Sequence, residues 1–120
     1  MRFMMFVMGN SDYEAGQPPS PALMAAIGAL AEQGFRDGSL IEQGGLLPSS
    51  AGALVSARDG KVRVTDGPFA EARELVGGSA IIEALSKADA IRMGAAFMQV
   101  HVDVLGPSFE GSLQIRAMAG

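Results

Sequence analysis

Two side chains in this sequence are suited to moving a proton near neutral pH. One is His101, the only histidine, and the other is Asp66, which heads an Asp66-Gly67-Pro68-Phe69 run. Imidazole alone among side chains has an unperturbed pKa near neutrality. A carboxylate fixed by backbone donors at the mouth of a cleft can orient an imidazole or act as a base, provided the two lie within hydrogen-bond reach or one water apart. Each also has a plainer reading: Asp before Gly-Pro satisfies its own turn, and a lone histidine on an apolar helix face is packed and hydrogen-bonded. Around this catalytic pair, Gly67, Pro68, Phe69, Glu71 and Arg73 are the candidate substrate contacts. Arg73 offers a guanidinium that suits a carboxylate, Phe69 is also read as core, and Glu71, Arg73 and Glu74 otherwise form a solvated cluster.

Other chemistries lack residues. There is no cysteine, which removes thiolate nucleophiles, disulfides and sulfur-ligated metals. One histidine and scattered acids have no metal-ligand spacing. Gly77-Gly78 precedes a strand rather than a helix, so it is not a phosphate loop. Neither metal nor cofactor is expected. The net charge of −4 and pI near 4.8 are wrong for tracking phosphates, so no nucleic acid partner is expected. No apolar run reaches membrane-spanning length, and Phe3 to Met8 is too short for a signal segment. A cytoplasmic location is expected.

At 120 residues, a single domain over 1–120 is the natural count. The elements that must position Asp66 and His101 follow in order. Phe3 to Met8 is apolar throughout and predicts a central strand. Ser20-Pro21 starts a helix with Leu23, Ile27, Leu30 and Ala31 on one face, stopped at Asp37-Gly38. Leu40 to Leu47 predicts a strand, with a bulge or a close approach at Gly44-Gly45. Asp59-Gly60 suits a two-residue type I′ turn, which sets Arg58 opposite Lys61, Ala57 opposite Val62, Ser56 opposite Arg63 and Val55 opposite Val64.

Gly78 to Ala84 predicts the next strand, and Ser86 to Asp89 a capping box with Asp in place of Glu. Val100, Val102 and Val104 alternate like a strand. The stripe Ala88, Ile91, Ala95, Met98, Val102 and Leu105 nevertheless carries a helix to about Val104, placing His101 at the border of its buried face. Leu113, Ile115 and Ala117 close with a strand. The order is βαββαβ with an inserted β-hairpin: an α+β, ferredoxin-like plan with both helices on one side of an antiparallel sheet. No third layer remains to cover the other side, so a homodimer is expected.

The string Val64-Thr65-Asp66-Gly67-Pro68-Phe69-Ala70-Glu71, with Arg73-Glu74 and Gly77-Gly78, resembles the DGPF subgroup of YCII-related proteins. Gly45-Leu46-Leu47-Pro48, Phe97-Met98 with His101, Phe109-Glu110-Gly111 and Ile115-Arg116 extend the resemblance over nearly the whole chain. It implies a dimeric α+β barrel with a cleft in each subunit. Some relatives resemble small lyases or dehalogenating enzymes that use a His and Asp pair, and DGPF members are often associated with sigma-factor systems. Ala72-Arg73 stands where the family commonly has Thr-Lys, and Ser79-Ala80 where it has two aromatics, a change that enlarges the cleft. Two functions follow: a small enzyme doing acid–base or elimination chemistry on a small organic molecule, or a non-catalytic dimeric module binding a small-molecule ligand or a regulatory partner.

Overall fold

The computed structural model describes residues 1–9, 15–68 and 75–120. Strand β1 (Arg2–Met8) leads to helix α1 (Pro21–Asp37), β2 (Leu40–Gly45), the hairpin β3 (Ala53–Arg58) and β4 (Lys61–Asp66), β5 (Val76–Glu83), helix α2 (Lys87–Leu105) and β6 (Leu113–Ala117). Four strands form one antiparallel sheet in the order β2-β5-β1-β6, and β3-β4 form a second sheet. This α+β arrangement is consistent with a ferredoxin-like fold.

Local chemistry sets most boundaries. Ser20 caps α1 by accepting a hydrogen bond from the Leu23 N–H at 3.1 Å, and Gly38 ends it in the left-handed conformation at φ 84°. Ser86 caps α2 through the Asp89 N–H, and the Asp89 carboxylate in turn accepts from the Leu85 N–H. A full capping box returns to the cap residue's own N–H; here the carboxylate takes the N–H one residue earlier. The hairpin has the expected register, with Arg58 facing Lys61, Ser56 facing Arg63 and Val55 facing Val64. Asp59 and Gly60 both take positive φ, at 53° and 74°, as a type I′ turn requires.

Three expectations need correcting. The bulge in β2 falls between Leu40 and Glu42 rather than at Gly44-Gly45; what is found at those glycines is the other expected feature, a close backbone approach, since a Cβ at Gly78 of β5 would come 3.1 Å from the Gly44 carbonyl oxygen. Strand β2 ends at Gly45, short of Leu47. Of the expected stripe, Ala88, Ile91, Ala95, Val102 and Leu105 are exposed and Met98 is half-buried, while Ala90, Gly94 and His101 are the buried residues of α2. Apolar residues stand on both sides of this helix, so periodicity supports its existence without choosing its inner face.

Alternation in β1 sorts the sheet. Phe3 and Met5 are buried beneath the helices with Ile82, Ala84 and Ala90, while Met4 and Phe6 lie half-buried on the opposite face with Ile81. Glycine brings each helix down onto an edge strand: a Cβ at Gly34 of α1 would come 2.8 Å from the Leu40 Cβ of β2. One at Gly94 of α2 would come 2.8 Å from Leu113 and Ile115 of β6. With the helices seated over the two edges, the middle strands β5 and β1 lie under the gap between them.

Candidate functional site

Asp66 is the last residue of β4, opposite Ala53, and is exposed. Among the described residues its carboxylate makes no hydrogen bond or ion pair. The corner after it is fastened by backbone instead. The Gly67 N–H donates to the Gly52 carbonyl at 3.0 Å, and a Cβ at Gly67 would overlap the Ser49 carbonyl of the 3-10 turn Ser49–Ala51. Pro68 follows through a cis peptide and is exposed. Phe69, Glu71 and Arg73 lie outside the described residues.

His101 is 8% exposed. Its Nδ1 lies 2.9 Å from the Phe97 carbonyl one turn earlier; a carbonyl can only accept, so Nδ1 carries a proton and this bond leaves Nε2 unused. The ring sits between Phe97, with centroids 4.7 Å apart, and Phe109, stacked at 5.1 Å. No hydrogen bond joins His101 to Asp66. Among the described residues no group of three His, Asp or Glu side chains is placed to hold a metal ion.

The gap between the helices is a cavity of about 270 Å³, just below the range of about 300 to 1,000 Å³ for small-molecule pockets. Its floor is Met5, Val7, Ala80, Ile82 and Leu113. Ile27, Leu30, Ala31 and Gly34 wall it from α1, and Met93, Ala96 and Phe97 from α2. Charged groups stand at the rim. Arg92 donates to Asp89 through Nη2 at 2.7 Å and Nε at 3.2 Å, and Glu83 is 3.0 Å from the Met1 ammonium. Asp37 accepts from the Ser39 N–H at 2.8 Å.

Hydrogen bonds from the Ser39 side chain, then its backbone, hold the Asp37 carboxyl below its ordinary value. The Leu85 N–H, then Arg92, does the same for Asp89. Asp66, Gly67, Pro68 and His101 are not among the walls, although Phe97 both lines the cavity and touches the His101 ring. This cavity therefore does not lie against the Asp66-Gly67-Pro68 corner, where the candidate substrate contacts were expected.

The YCII-related domain family matches residues 1–103. The chain belongs to this family. The match takes in Asp66, His101 and the cavity walls other than Leu113. No curated protein matches the chain.

In this YCII-related domain the cavity residues escape a reading based on reactive side chains, because most of them carry no chemistry. Their signal is size: Ala31, Gly34, Ala80 and Ala96 are small residues among the cavity's lining, Ala96 at its exposed margin. Ala80 was visible as one half of the Ser79-Ala80 pair expected to widen a cleft, and it is the half that faces the helices. Ser79 pairs with Phe6 and Gly44 on the other face.

Proposed function

We propose that this YCII-related domain is a cytoplasmic, homodimeric small-molecule-binding module of the DGPF subgroup. Its four-stranded sheet and two helices are a βαββαβ frame with an inserted hairpin, and two copies pair into a dimeric α+β barrel. The observation that carries the binding reading is the apolar cavity between α1, α2 and the sheet. His101, wedged between two phenyl rings and bonded to its own helix, supports binding over catalysis.

Surface area supports the second copy. The chain exposes 8199 Å², where a folded monomer of 12.4 kDa would expose about 6,100 Å². The excess, roughly 2,000 Å², exceeds the roughly 800 Å² each partner gives to a standard interface. Val55, Val62 and Val64 share one face of the hairpin and are 64%, 72% and 67% exposed.

Hexan-1-ol tests the binding reading. It should shift the Met5 and Met93 methyl resonances saturably, and Ala96→Phe, which fills the cavity, should abolish the shifts while leaving the helical circular dichroism unchanged. Unmoved methyls in the wild type would refute it.

Acid–base chemistry remains as a second reading because neither reactive group is consumed: Nε2 of His101 and the Asp66 carboxylate have no partner among the described residues. Ligand recovered chemically altered by the wild type and unaltered by Asp66→Asn would favour it.

A further inference from the structure

The rim charges of the cavity are unevenly compensated. The Asp89 carboxylate has the Arg92 guanidinium and Glu83 has the Met1 ammonium. Arg92, the only side-chain cation among the described residues lining the cavity, is therefore already engaged. Asp37 has only Ser39 as a partner, a neutral donor, and no ion pair among the described residues. Nearby Arg36 is held 2.7 Å from Glu32. Asp37 also stands at the C-terminal end of α1, where the helix carbonyls add partial negative charge and a cation is the favoured neighbour. An apolar chamber thus opens beside one uncompensated carboxylate.

The geometry points to a primary amine with a compact apolar body as the ligand: its hydrocarbon fills the space between α1, α2 and the sheet, and its ammonium donates to Asp37. This rests on the cavity being the binding site. The chamber's walls supply the affinity by taking the ligand's methylenes out of water. The carboxylate supplies the selection. An organic acid of the same length would bring its anion to Asp37 with no spare cation among the described lining residues to meet it.

The experiment compares n-hexylamine, hexan-1-ol and hexanoate on the full chain, following the Met5 and Met93 methyl resonances. Hexylamine should bind about two- to fivefold more tightly than hexanoate, the size of effect expected for a solvent-exposed ion pair, with the alcohol between them. Asp37→Asn keeps an oxygen to accept from the Ser39 N–H, so α1 retains its end. In that variant the amine should fall to the affinity of the alcohol, with the alcohol itself unchanged. Equal binding of all three probes by the wild type would overturn the amine inference and leave the cavity reading standing. No saturable shift with any probe would overturn both.

Discussion

His101 holds its ring in place through three neighbours, and a truncation there removes all three contacts at once. His101→Ala should cost about 2 to 3 kcal/mol in chemical denaturation, at the low end for buried rings because one edge is polar. A loss below about 0.5 kcal/mol, the range of ordinary surface changes, would contradict the packing role. Gly67 is constrained differently: its missing side chain leaves room for the Ser49 carbonyl. Gly67→Ala pushes a methyl against backbone that cannot rotate away, so a loss of about 1 to 3 kcal/mol is expected from the denaturation midpoint. At this scale the sequence was a mixed guide. The types of Asp66 and His101 singled them out, but residue type carries no distance, and the carboxylate that faces the cavity, Asp37, had been read only as part of a helix stop.

Elements were legible wherever a few adjacent residues settle the backbone. Asp59-Gly60 accepts positive φ at both positions, so the hairpin register followed from two residues. Ser20-Pro21, Asp37-Gly38 and Ser86 marked helix ends by the groups they offer to unpaired amides and by the left-handed glycine. The inner face of α2 was not legible, because Ile91 and Val102 are as apolar as the buried side and only the sheet beneath decides between them. The bulge at Leu40 to Glu42 was equally hidden, since it reconciles β2 with β5 across distant positions.

The α2 start also makes a pH prediction. Donors from Leu85 and Arg92 lower the Asp89 pKa below its ordinary 3.8, so its ionised form stabilises the fold at pH values above the unfolded pKa. That contribution disappears as pH falls through the lower folded value. Thermal melts should therefore show the wild type losing stability more steeply than Asp89→Asn as pH falls below about 4. Parallel curves would remove Asp89 from the account of this helix end.

For the whole molecule, shape carries the argument. A chain of this length folded alone would have a radius of gyration of about 13.6 Å, and this one has 15.8 Å with extents of 46 × 36 × 21 Å. The hairpin contributes to that spread, since β3-β4 pair with no strand of the main sheet and every residue in them is exposed. No helix among the described residues is long and apolar enough to cross a membrane, so a lipid-spanning helix does not account for the apolar faces. The sheet's open side, with Met4, Phe6 and Ile81, and the hairpin face with Val55, Val62 and Val64 are the surfaces a second copy would cover. Val62→Lys together with Val64→Lys should leave the circular dichroism of the chain intact and drive any dimer toward single chains. The one-sided sheet was legible from the order of elements; the cavity was not, because the small residues that open it, Ala31, Gly34, Ala80 and Ala96, lie on three elements far apart in sequence.

Sedimentation equilibrium of the wild-type protein tests the proposed assembly most directly. The account predicts a single species of twice the 12.4 kDa chain mass at micromolar concentration. A species at the single-chain mass, with native circular dichroism, would contradict it.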